Sequence, residues 1–143
     1  MEISLLTEVT DEVVQAFTRL LPQLSSSAVI PSRAELQEIA DNDSFFIARD
    51  LDLGGQIVGS LTLVTFRIPT GVRAWIEDVV VDTAMRGKGI GELLTRAALE
   101  RAAELGAKTV DLTSRPSREA ANRLYRRVGF ELRQTNLYRY ELK

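Results

Sequence analysis

Between residues 74 and 105 the apolar pattern changes period, and this change limits the folds open to the chain. Ala74–Asp82 ends in a run of valines and reads as a long strand, whereas Glu92–Leu105 carries Leu93, Leu94, Ala97, Ala98 and Leu99 at helical spacing. The segment Arg86-Gly87-Lys88-Gly89-Ile90-Gly91 lies between them. A strand that runs through a tight turn into a helix, followed by the short β run Thr109–Leu112, predicts a crossover and a parallel strand pair.

The remaining elements are arranged around that unit. Glu2–Leu6 reads as a short strand. Thr10 or Asp11 caps a helix to about Leu21, and Pro22 is expected to end it. Ser32 caps a second helix, with Glu35 at the capping-box position and Leu36 and Ile39 as its apolar stripe. Ser44–Arg49 and Ile57–Phe66 form a hairpin across Leu53-Gly54-Gly55-Gln56. After Thr109–Leu112 come a helix over Ser117–Val128, ended by Gly129, and a last strand pair at Phe130–Arg133 and Leu137–Leu142. The expected fold class is α/β, a mixed sheet of about seven strands with flanking helices. With 143 residues and no linker-like stretch, one domain over 1–143 is expected.

The residues that are missing narrow the chemistry. Without cysteine there is no disulfide, thiolate metal site or thiol nucleophile, and without histidine there is no Ser-His-Asp triad or usual zinc ligand. No metal is expected. Catalysis has to run on carboxylates, tyrosines, backbone dipoles or a group that arrives already activated. The acidic N-terminus does not read as a signal peptide and no apolar run could span a bilayer, so a cytoplasmic protein without membrane contact is expected. Net charge is −2, but residues 1–60 carry −7 and residues 61–143 carry +5. Either exposed charges fell this way by chance, or the C-terminal half holds a polyanion and the N-terminal half faces a cation. No basic run is interleaved with aromatics and the pI is about 5.3, so no nucleic acid partner is expected.

Glycines let a backbone turn sharply and approach a ligand closely, and a helix N-terminus presents unpaired N–H groups. Such a loop suits a phosphate, although a glycine turn can also serve only to fit a helix against a sheet. The dinucleotide fingerprint needs glycine where Glu92 stands. The nucleotide P-loop fails as well, because Gly89 follows Gly87-Lys88 and no glycine lies five residues before Gly87. What matches is R-x-x-G-x-G at Arg86, Gly89 and Gly91. Further on comes Asn122-Arg123-Leu124-Tyr125-Arg126-Arg127-Val128-Gly129-Phe130. Together, in this order and on these elements, the two stretches resemble the GNAT superfamily of acetyl-CoA-dependent N-acetyltransferases over roughly Ile76 to Phe130.

The resemblance implies acetyl-CoA as donor, with Arg86, Gly87, Lys88, Gly89, Ile90 and Gly91 around its pyrophosphate and Glu92 opening the helix. It implies that the Val81 backbone pairs with the pantetheine arm and that the Val79 amide points at the thioester carbonyl. Tyr125 is the implied proton donor to the departing sulfur, the alternative being that it packs against Phe130. Asn122, one helical turn earlier, is within reach of pantetheine. Arg118 stands where many family members carry asparagine, seven residues before the tyrosine, which leaves that contact open. Glu77 shares strand parity with Val79 and Val81 and is the preferred base, against a salt bridge to a sheet arginine; a bulge would upset that count. Two functions follow: acetyl transfer to an amine by direct attack in a ternary complex, or a non-catalytic acetyl-CoA/CoA sensor. The acceptor stays open among small molecules, lysine and protein N-termini, and a homodimer is left open.

Overall fold

The computed structural model describes residues 1–142. The chain divides into two compact units, Met1–Thr113 and a second beginning at Ser114. The first holds a five-stranded sheet in the order β1 (Glu2–Leu5), β2 (Ser44–Asp50), β3 (Gln56–Ile68), β4 (Gly71–Val81), β5 (Ala107–Asp111). β1 to β4 run antiparallel, and β5 lies parallel to β4. The parallel pair is the expected crossover, and its connection is α3 (Ile90–Glu104).

Helices α1 (Asp11–Leu24) and α2 (Arg33–Asn42) precede β2. The capping box of α2 forms as its sequence predicts. The Glu35 amide donates to the Ser32 hydroxyl at 3.1 Å, and the Ser32 amide donates to the Glu35 carboxylate at 2.9 Å. α1 departs from expectation, because it continues through Pro22 to Leu24. Proline removes one helix N–H, but at the last turn little of the helix remains to be broken. Beyond it the Ser25 amide donates to Leu21 O at 2.9 Å, and Gln23 is held by a partner described below.

The two sheet faces carry different helices. On one, Phe45 and Ile47 of β2, Ile57 of β3 and Val80 of β4 form a core with Val13, Phe17 and Leu20 of α1 and Leu36 of α2. Phe17 and Phe45 stack at 5.2 Å between ring centroids. On the other face Gly59 brings α3 close. A Cβ there would meet Val80 O at 3.2 Å and the side chains of Ile90 and Leu94 at 3.3 Å, so a larger residue would push the helix away. Burying Ile90 and Leu94 against this face fixes where α3 begins.

The second unit contains α4 (Glu119–Val128), closed by Gly129 at φ +122°. The expected last strand pair is not observed, so the sheet has five strands and not seven: among the described residues, 130–142 form no ladder. Alternating apolar residues such as Tyr138, Tyr140 and Leu142 give a segment the means to be a strand, but a strand exists only through its partner's hydrogen bonds.

Candidate active site

In the first unit the candidate site lies where β4 parts from β5. Its ladder with β5 runs from Val72–Ala107 to Trp75–Asp111 and ends there, so Ile76–Val81 have ladder partners on β3 alone. Backbone groups on the β5 side of this stretch have no strand neighbour in the sheet. The sheet is thus open between β4 and β5 along Ile76–Val81.

A bulge lies within the same stretch. Thr62 pairs with Glu77 and Ser60 with Val80, so Asp78 and Val79 together oppose Leu61. Asp78 sits at φ +48°, the only non-glycine residue with positive φ among the described residues. A left-handed conformation costs a non-glycine residue about 1–2 kcal/mol, least for Asn and Asp, and a residue in that conformation is a common way to open a bulge. The bulge inverts the parity expected from the sequence. Glu77 shares a sheet face with Val80, the face of α1 and α2, and not with Val79 and Val81. Glu77 and Asp78 are exposed, Val79 and Val81 partly buried, and Val80 buried.

Beyond β4 the chain makes one 3₁₀ turn, Thr83–Met85, and enters the glycine loop. Gly87 and Gly89 have φ of +79° and +77°, and beyond the adjoining backbone nothing lies within 4 Å of where a Cβ would stand on either. Gly89 is the N-cap of α3, its carbonyl accepting from the Leu93 amide at 3.1 Å. The helix therefore begins at Ile90, two residues before the expected Glu92. Met85 before the loop and Ile90 after it are both buried, whereas Arg86, Gly87, Lys88 and Gly89 are exposed. Glu92 is in the first turn of α3 and pairs with Arg96 at 3.1 Å. Two left-handed glycines with open space beside them, at the N-terminus of a fifteen-residue helix, form a cradle that fits a phosphate group.

In the second unit, Tyr125 packs edge-on to Phe130, with ring centroids 5.7 Å apart. Burial raises its phenol above the ordinary tyrosine value, and the Arg118 guanidinium pulls partly against that shift. The Asn122 side-chain amide donates to Arg115 O at 2.9 Å and to Arg118 O at 2.8 Å. Its nitrogen thus holds the turn that opens α4. Arg118 is the N-cap of α4. Arg123 and Arg126 line a hollow with Ser114 and Asn122.

A model described as the acetyltransferase (GNAT) family matches residues 7–130. The chain belongs to this family. It is 30% identical over 127 residues to glucosamine 6-phosphate N-acetyltransferase 1 of Oryza sativa subsp. japonica, covering 83% of this chain and 75% of that one. Among solved structures, an aminoglycoside acetyltransferase from an uncultured soil metagenomic sample, in complex with sisomicin, superposes with a TM-score of 0.82 at 25% identity, covering 99% of this chain and 96% of that one. A Trypanosoma brucei acetyltransferase superposes at 0.78 and 28% identity, with 99% of both chains covered. The protein is an acyltransferase enzyme, and the donor used by its family is acetyl-CoA. No helix among the described residues is long and apolar enough to cross a membrane.

Sequence reasoning singled out the glycine loop, Glu77 and Tyr125 as candidates but missed what holds the loop in place. Arg19, Gln23 and Asp82 carried no signal, because no motif joins residues sixty positions apart.

Proposed function

We propose that this enzyme transfers an acetyl group from acetyl-CoA to a primary amine by direct attack in a ternary complex, and that both units act as one catalytic domain. The observation that carries this reading is the cradle: Gly87 and Gly89 at positive φ, open beside their backbone, at the start of α3. The family match across residues 7–130 spans both units and supports the single domain.

Acetyl-CoA supplies the activated acyl group. The backbone amides of Arg86–Gly91 hold its pyrophosphate, with Arg86 and Lys88 adding positive charge and Ile90 and Glu92 setting the first turn of the helix. The backbone of Val81 pairs with the pantetheine arm along the edge that β5 leaves free. The Val79 amide donates to the acyl oxygen as negative charge gathers there, an effect worth about 3–4 kcal/mol for one such donor. Glu77, exposed on the face of α1 and α2, takes the proton from the ammonium form of the acceptor. Tyr125 donates its phenolic proton to the sulfur as the C–S bond breaks, and the proton shed by the new amide nitrogen restores the phenol. Its raised pKa keeps that proton in place at neutral pH.

An amino sugar is the acceptor class to test first. Two of the relatives above are named for glucosamine 6-phosphate and for aminoglycosides, both amines carried on sugars. The charge of −7 over residues 1–60 suits a cationic amine. The test is thermal stabilisation by acetyl-CoA, CoA, ATP and NAD, followed by turnover with amino sugars, polyamines and lysine peptides. Acetyl-CoA and CoA should stabilise the protein well above ATP and NAD, and amino sugars should give the highest kcat/KM. Equal stabilisation by all four reduces the loop to a general anion site, and turnover confined to lysine peptides overturns the acceptor class.

A further inference from the structure

The glycine loop lacks internal packing. Its two left-handed glycines touch nothing where a side chain would stand, and the four residues from Arg86 to Gly89 are exposed. Its shape is therefore set by its two ends. The far end is the first turn of α3, fixed by buried Ile90. The near end, Asp82–Met85, is tied to α1.

Two side chains of α1, one helical turn apart, make that tie. The Gln23 carbonyl oxygen accepts from the Thr83 amide at 2.8 Å, and its amide donates back to Arg19 O at 3.2 Å, which orients it. Arg19 faces the Asp82 carboxylate at 3.4 Å and also donates to Ile57 O. The other Asp82 oxygen accepts from the Ala84 amide at 3.1 Å, and the Asp82 amide donates to Val58 O at 2.8 Å. The carbonyls of Ile57 and Val58 are both available because β3 has a register shift here: Ala48 pairs with Gly59 but Arg49 with Ile57, which leaves Val58 unmatched. The Asp82 side chain is 14% exposed and that of Arg19 37%, so the pairing is partly screened by solvent.

We infer that Arg19 and Gln23 are positioning residues for the donor cradle. They act through Asp82 and Thr83 and not on the substrate. By holding Asp82 and Thr83, they set the path by which the backbone enters Arg86–Gly91 and so pre-order its amides for a diphosphate. A cradle ordered before binding does not lose that ordering entropy on binding. The inference rests on the acetyl-CoA reading of the loop.

The test is calorimetric binding of CoA to the full chain, with KM and kcat measured in parallel. Gln23→Leu keeps the bulk but removes the acceptor for Thr83, whereas Gln23→Glu keeps an acceptor oxygen. Loss of one such hydrogen bond corresponds to about three- to tenfold in affinity. Gln23→Leu should weaken CoA by that factor and raise the KM for acetyl-CoA alike, leaving kcat and the acceptor KM near wild type, and Gln23→Glu should recover most of the loss. Asp82→Asn keeps an oxygen for Ala84 but removes the charge facing Arg19. It should weaken CoA about threefold, and it carries the test if Gln23→Leu does not fold. Wild-type CoA affinity in both folded variants overturns the inference while leaving the donor reading intact, as does equal loss in Gln23→Leu and Gln23→Glu. Failure of the wild-type protein to bind CoA overturns both.

Discussion

Glu77 and Val80 stand on the same face of the sheet although three residues apart on one strand, because Asp78 and Val79 share a single partner across the ladder. In a regular strand they would face opposite sides. The bulge places a carboxylate on the side of α1 and α2 while leaving the Val79 and Val81 backbone at the edge that β5 does not cover. The proposed base and the proposed amide donor thus sit on one strand but are offered in different directions.

Glu77→Gln tests the base. At neutral pH kcat should fall by about 10²–10⁴, as loss of general base catalysis typically does, with CoA affinity unchanged. The deficit should shrink as pH rises toward the pKa of the acceptor amine, because more of the amine is then deprotonated without help. Rate measurements from pH 6 to 10 decide it: a small loss that stays constant across that range makes Glu77 a surface carboxylate.

Gly89→Val tests the cradle. At φ +77° a β-branched residue is strained, and its side chain fills space that is now open. The melting temperature should drop modestly, while CoA affinity should drop by an order of magnitude or more. The control is Gly54→Val, at φ +70° beside equally open space in the β2–β3 turn. It should lose comparable stability and no CoA affinity. If the two variants bind CoA alike, the ligand does not lie on the loop.

Tyr125→Phe retains the edge-on contact with Phe130 and removes the proton donor. The kcat should fall by about 10²–10⁴ with acetyl-CoA affinity near wild type, and a thioester with a better leaving group should recover the rate selectively. Because burial raises the Tyr125 pKa, folding favours the protonated phenol. That contribution is complete below the ordinary tyrosine value of about 10 and is lost as pH rises through the higher folded value. Any loss of wild-type rate from phenol ionisation should accordingly have its midpoint above pH 10. A variant that loses stability and keeps its kcat would make Tyr125 a packing residue.

Gly59→Val probes the seat of α3. Its side chain would enter space bounded by Val80 O, Ile90 and Leu94 at 3.2–3.3 Å from the Cβ. Overpacking of this kind typically costs about 1–3 kcal/mol. Chemical denaturation should register that loss, and because Ile90 anchors the end of the glycine loop, CoA affinity should fall as well. Undiminished stability would mean that α3 can shift without penalty.

The sequence by itself determined what depends on neighbours along the chain. Ser32 and Glu35 cap α2 because the capping box spans three residues, and the valine strand, glycine loop and leucine helix specify a parallel crossover through their changes of period. Tertiary structure decided whatever depends on a partner far away in the chain. The strand parity around Glu77 was legible, but the bulge that inverts it exists only in the pairing with Leu61. Pro22 reads as a stop signal, yet α1 runs on to Leu24, where Gln23 meets Thr83. The segments 130–133 and 137–142 alternate as strands do, but no ladder forms among the described residues. Local propensity is a preference of about 1 kcal/mol per residue or less. A hydrogen-bonded partner or a packed face outweighs it, and neither is written in the segment that receives it.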